Sequence, residues 1–409
     1  MIRARPVRLD RPADLEPALL RLGLSPSARE ELREKVPALH VLLTGLEGEQ
    51  GRLIADLLAG HTHLGREDYP AWVAGEPLTR PDTGLLSGRR EQFECLVARA
   101  RERPELAGLA DAVARLLESA RPPAPLTLGG RTFTFGARTH VMGVVNVTPD
   151  SFSDGGRYLR AEDAVAHGLR LAEAGADVLD VGAETTRPGS APVPAEQQLA
   201  RLMPVIEGLR ARTDVPLSVD TTLAAVAREA LRAGVVLVND VSGFRFDPEL
   251  PRVTAEAGAA CCLMHIQGVP ETMQLAPHYE DVVDEVLDFL EEGVARAVAA
   301  GIPRERVLVD PGIGFGKTLG HNLFLLRRLG ELRVLGLPVL VGTSRKSFLG
   351  KLAGGRPVEQ RLAATLGSVA AVAAAGDADF IRVHDVLEAR DALAVVDALR
   401  GALDGGSLY

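Results

Sequence analysis

Between His140 and His384 a short apolar stretch runs eight times into a polar, glycine-bearing cluster. The runs end near Asn146, Asp180, Asp220, Asn239, His265, Asp310, Gly342 and His384, and helix-patterned segments fill the gaps. Apolar runs of this length read as strands buried on both faces. Strands alternating with helices imply a parallel sheet. Eight such units over about 250 residues match a closed (β/α)8 TIM barrel, an α/β fold. Ligands of that fold bind where strands end and loops begin, so the polar groups at these eight ends are expected to share one site.

Residues 1–122 lack this rhythm. The pattern predicts helices over 27–35, 51–58, 89–103 and 107–118, with Pro104 as a breaker between the last two, and strands near 40–43 and 83–86. This reads as a small α+β domain of unknown role ahead of a barrel over 123–409. The proline-rich ARPPAPL, residues 120–126, links the two. A hairpin, LTLGGRTFTFG, follows with Gly129-Gly130 as its turn, and is placed to plug the bottom of the barrel.

Composition narrows the function. No run approaches the roughly 18 apolar residues of a membrane span, and no signal-peptide pattern opens the chain. Three cysteines, two of them adjacent, make no disulfide framework, so a cytoplasmic protein is expected. A net charge of −9 argues against general nucleic-acid binding. It leaves room for an anionic small molecule, since local basic groups dominate inside a cleft.

The strand ends carry the candidate chemistry. Two polar loops follow the first two strands: VTPDSFSDGG after Asn146, with Phe152, and ETTRPGS, with Thr186 and Arg187. Asp220, Asn239 and Asp310 together suit a heterocycle with a donor–acceptor–donor edge, because the carboxylates accept and the amide does both. Met264 and Phe315 are candidate apolar walls. In the eighth strand Arg382 and His384 are two residues apart, hence on one face. With Lys346, Ser347 nearby and Asn146 on the neighbouring strand, they suggest an anion site at the end of the barrel where phosphate is often bound. GIGFGK, residues 312–317, is glycine-rich but lacks the spacing of a Walker loop. No His-x-x-x-His or Cys-x-x-Cys pattern is present. The expected metal is magnesium (Mg2+), riding on substrate phosphates with one contact through Asn146.

Taken together, VMGVVNVTPDSFSDGG, DVGAETTRPGS, SVDT, NDVSG, LMHIQGVPETMQ, VDPGIGFGK, GTSRKSFLG and RVHDV resemble dihydropteroate synthases, the sulfonamide-sensitive transferases of folate biosynthesis. The segments occur in the family's order. The resemblance implies condensation of 6-hydroxymethyl-7,8-dihydropterin diphosphate with 4-aminobenzoate to give 7,8-dihydropteroate and pyrophosphate. It implies that Asp220, Asn239, Asp310 and Lys346 read the pterin edge, with Met264 lining the pocket. Arg382 would stack over the pterin and, with His384 and Asn146, hold the diphosphate, Asn146 also meeting the magnesium. Phe152, Thr186, Arg187, Lys346 and Ser347 would receive aminobenzoate. It further implies a homodimer. Ala183 and Thr185 stand where the family usually has glycine and serine. Two rival readings are a non-catalytic pterin-binding paralogue and the methyltetrahydrofolate-binding barrel of corrinoid methyltransferases. The latter has no use for a diphosphate site.

Overall fold

The computed structural model describes residues 3–6, 39–47, 49–59, 71–74, 82–88, 90–119, 122–147, 157–185 and 189–403. The chain divides into two compact units, Met1–Pro122 with Gly330–Gly336, and Pro123–Leu329 with Leu337–Tyr409.

The first unit has strands β1 (Arg3–Pro6), β2 (Leu39–Thr44), β3 (Ala71–Ala74) and β4 (Gly84–Gly88), and helices α1 (Gln50–Ala59), α2 (Arg90–Ala100) and α3 (Ala107–Ser119). Its antiparallel sheet runs β1-β2-β4-β3. Val41, Leu43 and Leu86 from the sheet pack with Ile54, Phe93, Leu96, Leu109, Val113 and Leu116 from the helices. Val334, in Gly330–Gly336, packs on the same core. The α+β expectation holds, and the helices near 51–58, 89–103 and 107–118 are found within a few residues. The helix expected over 27–35 lies outside the described residues. Pro104 starts a short 3-10 turn, Pro104–Leu106, between α2 and α3.

The second unit opens with the hairpin β5 (Leu126–Leu128) and β6 (Arg131–Phe133). Gly129 and Gly130 take φ of 56° and 84°, the left-handed pair that a two-residue hairpin turn requires. Eight parallel strands follow: β7 (His140–Asn146), β8 (Val178–Gly182), β9 (Leu217–Asp220), β10 (Leu237–Asp240), β11 (Ala260–Met264), β12 (Val307–Asp310), β13 (Leu340–Val341) and β14 (Phe380–Val383). The sheet order is β12-β11-β10-β9-β8-β7-β14-β13. A parallel bridge from Val309 to Val339, with the Val309 N–H donating to Pro338 O at 3.0 Å, joins the two ends into a barrel. Helices α4 (Arg157–Glu173), α5 (Ala195–Arg210), α6 (Ala224–Arg232), α7 (Leu250–Glu256), α8 (Val282–Ala299), α9 (Leu319–Arg327), α10 (Ser347–Leu352), α11 (Leu362–Ala374) and α12 (Val386–Leu403) connect or follow the strands.

The hairpin plugs the barrel as expected. Leu126, Leu128, Phe133 and Phe135 pack against Val178, Leu237, Ala260, Leu340 and Phe380, each the first residue of its strand. Sealing that end leaves the carboxyl ends of the strands as the open face. Asp177 locks the same sealed end. It accepts from the Val141 N–H at 2.9 Å, from Arg138 at 2.8 Å, and from Arg390 on α12. Burial pushes its carboxyl up, but His140, the Val141 N–H, Arg390 and Arg138 outweigh this and hold it well below the usual carboxylate range.

Candidate active site

Strand register sets the floor of the open face. Asp220 lies opposite Asn239, and Met264 opposite Asp310, so one acid–amide pair and one acid–thioether pair sit side by side on adjacent strands. All are buried or nearly so: Asn239, Asp310 and Met264 are each 5% exposed, and the Asp220 side chain is 17% exposed.

Arg382 crosses this floor. Its Nε donates to Asp180 Oδ2 at 2.7 Å and its Nη2 to Asp220 Oδ2 at 2.8 Å. The Asn239 amide donates to the same Asp180 oxygen at 2.9 Å. Asp180 is fully buried and its Oδ1 has no partner. The sequence pattern places Asp180 at the end of a run and gives it no part in the site, yet it joins this cluster. Its apolar run predicts a rim position, whereas Asp180 sits in mid-strand, two residues before β8 ends. The cost of burying such a charge was the available signal, because it demands a cation.

The electrostatics follow from burial and pairing. Burial pushes the Asp220 carboxyl up to about 7, with Arg382 opposing and Asp180 adding to the rise. Burial also raises Asp310, against Lys346 and the Gly312 N–H, which donates to Asp310 Oδ1 at 2.7 Å. It lowers Lys346 to about 8, Asp310 opposing. Arg382 keeps its proton, since Asp180 and Asp220 outweigh its own burial. A raised acid, a lowered lysine and a fixed guanidinium in one floor are the mark of a site built for a polar ligand.

Lys346 and Phe315 meet. The Lys346 ammonium stands 4.8 Å from the Phe315 ring centroid and donates to Ile313 O. The backbone that delivers Lys346 is pinned one residue earlier. Arg345 takes φ of 58°, rare for a side chain of its size. Its N–H donates to Thr365 Oγ1 at 3.0 Å, its carbonyl accepts from Arg361 at 2.9 Å, and its guanidinium forks onto Asp385. Ser347, the first residue of α10, is exposed.

β14 holds Arg382 but ends at Val383, so His384, expected on the same strand face, stands one residue past the strand, and its Nδ1 lies 2.9 Å from Ser344 Oγ. Burial, then Arg382 and Arg345, lower it to about 4, so it is neutral near pH 7. Asn146 ends the adjoining strand β7 and is half-buried.

GIGFGK is a seam between loops. Gly312 has φ of 66°, and a Cβ there would meet His265 O at 1.8 Å. Lys317 points inward, its Nζ bonding His265 Nδ1 at 2.7 Å, Gly312 O at 2.9 Å and Phe315 O at 3.1 Å. The loop after β12 is thereby bound to the loop after β11, and its lysine has no capacity left for a phosphate. Of the sequence candidates, the structure thus connects Asp220, Asn239 and Arg382 in one cluster and Asp310, Phe315 and Lys346 in another. Phe152, Thr186 and Arg187 lie outside the described residues.

A floor of acids and an amide beside fixed cations, at the open end of a plugged parallel barrel, defines a binder of flat, nitrogen-rich heterocycles. Residues 142–384 match the family described as Pterin binding enzyme. The chain is 48% identical over 263 residues to the dihydropteroate synthase of Escherichia coli, covering 64% of this chain and 92% of that one. Among solved structures it is similar to Xanthomonas albilineans dihydropteroate synthase with 4-aminobenzoic acid, at 48% identity and a TM-score of 0.64, covering 68% of this chain and 98% of that one. It is similar also to Yersinia pestis dihydropteroate synthase with a sulfonamide drug, at 44% identity and a TM-score of 0.64, covering 68% and 100%. The chain belongs to the dihydropteroate synthase family of pterin-binding enzymes.

Proposed function

We infer that this chain is a transferase of folate biosynthesis, which condenses 6-hydroxymethyl-7,8-dihydropterin diphosphate with 4-aminobenzoate to 7,8-dihydropteroate and pyrophosphate. The observation that carries this is the buried floor of Asp220, Asn239 and Asp310 with Arg382 across it. Ring N–H and amino groups of a pterin are the donors that such acids lack. In this reading Asp220, Asn239, Asp310 and Lys346 hold the ring edge, and Met264 and Phe315 wall it. Arg382, His384 and Asn146 face the diphosphate. Phe152, Thr186, Arg187 and Ser347 receive aminobenzoate together with Lys346.

The aminobenzoate nitrogen forms a bond to the pterin methylene as the methylene–oxygen bond to diphosphate breaks, and the amine loses a proton. Positioning and stabilisation of the leaving charge supply the rate. No covalent enzyme intermediate is needed. Burial pushes the Cys261 and Cys262 thiols far above their usual range, which makes them unreactive.

Magnesium fits as a passenger of the diphosphate. Among the described residues no group of three or more His, Cys, Asp or Glu is placed to hold a metal. Asn146 would offer one neutral oxygen, and water and phosphate the rest. The ion would offset charge on the departing pyrophosphate. A homodimer is supported by Leu387, Val395 and Leu399, exposed along α12 at 57%, 62% and 62%. Three free cysteines suit a reducing, cytoplasmic setting. Among the described residues no helix is long and apolar enough to cross a membrane.

The test is pyrophosphate release from the pterin diphosphate. Release that requires aminobenzoate is expected. Ring binding without release would indicate a non-catalytic paralogue, and methyl transfer from methyltetrahydrofolate would indicate the corrinoid-linked barrel.

A further inference from the structure

Two carboxylates of different standing hold Arg382. Asp180, on its Nε at 2.7 Å, has no exposed surface, so no ligand can displace it. Asp220, on its Nη2 at 2.8 Å, ends β9 and keeps 17% of its side chain exposed, so a ligand can take its place. The Asp180 oxygen that grips Arg382 is also the one that holds the Asn239 amide. A carboxylate only accepts, so it fixes the Asn239 NH2 toward itself and leaves the Asn239 oxygen as the acceptor of that amide.

We propose that Asp180 is a positioning residue, the fixed pivot about which Arg382 turns from Asp220 to the diphosphate when a pterin ring occupies Asp220. This rests on the pterin diphosphate reading above. Ring N–H donors fill the Asp220 lone pairs and loosen its hold on Nη2. The freed edge of the guanidinium then meets phosphate oxygens, to which it binds as a charge-assisted fork. The Nε–Asp180 bond remains throughout, so the turn costs little reordering. Ring binding thereby arms the phosphate site, and linkage makes the effect reciprocal.

The experiment is calorimetric titration of inorganic pyrophosphate with magnesium, with and without saturating 6-hydroxymethylpterin. In the wild-type chain the ring should tighten pyrophosphate by about tenfold. In Asp220→Asn the coupling should fall to within about twofold, because the latch is gone. Asp180→Asn separates the pivot from simple electrostatics. Removing a negative charge beside an anion site would by Coulomb attraction alone tighten pyrophosphate. Loss of the pivot weakens it, by about tenfold. Pyrophosphate binding to Asp180→Asn as tight as wild type, or tighter, overturns the proposal. Should that variant fail to fold by circular dichroism, Arg382→Lys decides. It keeps the charge but cannot hold Asp180 by one edge while turning the other, so the coupling should vanish, and coupling at wild-type strength overturns the pivot. Turnover of the pterin diphosphate is measured separately: coupling without turnover would contradict the assigned reaction and leave the pivot standing.

Discussion

Ser344 Oγ sits 2.9 Å from the Nδ1 of His384 and also accepts the His384 backbone N–H at 3.2 Å. The imidazole is thus oriented by the loop that carries Lys346, and its lowered pKa, about 4, leaves it neutral in the free enzyme at pH 6–8. His384→Gln, a neutral replacement, should keep kcat/KM for the pterin diphosphate within about fivefold. The shape of the pH profile should not change between the two proteins. A wild-type inflection near the ordinary imidazole range that disappears in the variant would show that a charged His384 is needed.

Arg382→Ala should damage the fold as well as turnover. From the sequence, Arg382 reads as a residue of the ligand site. In the structure it also neutralises Asp180, which is fully buried. Leaving that carboxylate unpaired costs about 3–5 kcal/mol. Urea unfolding should show the loss. A variant as stable as wild type would mean that Asp180 does not depend on Arg382.

Asp177 makes a prediction at the sealed end. Its carboxyl is 2% exposed as a residue and held well below the usual range by its partners. Its contribution is therefore present above the unfolded carboxylate pKa of about 3.9 and is lost as pH falls below it. Asp177→Ala should cost about 3 kcal/mol at neutral pH, and the loss should shrink in acid. Turnover per folded molecule should stay near wild type, since Asp177 is remote from the strand ends that carry the chemistry. Equal destabilisation at pH 7 and pH 3 would contradict the linkage.

Lys317→Met should loosen the seam between the loops after β11 and β12. The Lys317 Nζ serves two carbonyls and His265, and the variant strands both carbonyls. An unfolding loss of about 2–3 kcal/mol is expected. Hydrogen exchange at Gly312 to Gly316 should quicken. Unchanged exchange there would show that the glycines alone hold the loop.

The barrel was legible because buried parallel strands write themselves as uninterrupted apolar runs. Asn146, Asp220 and Asp310 each end their strand where the run stops. The hairpin plug was legible from two glycines between alternating residues. Two kinds of feature were not. β1 is RARP and β3 is AWVA, four residues each, too short to show a period. The ion cluster pairs residues 202 and 162 positions apart, and no local pattern reports which acid a distant arginine will meet. GIGFGK lacks the spacing of a phosphate loop, and the structure gives its glycines another reason. Its glycines answer to the neighbouring loop, where a Cβ at Gly312 would strike His265 O, and to no phosphate.

If the strand-end floor holds the pterin, removing the Asp310 charge with Asp310→Asn should disable it. The substitution keeps size and can still accept the Gly312 N–H, but removes the charge facing Lys346 and the ring donors. Steady-state kcat/KM for the pterin diphosphate should fall roughly a hundredfold, the loss of a charge-assisted hydrogen bond at its upper range. Circular dichroism and melting should remain close to wild type. A well-folded Asp310→Asn with wild-type kcat/KM would contradict the placement of the pterin on this floor.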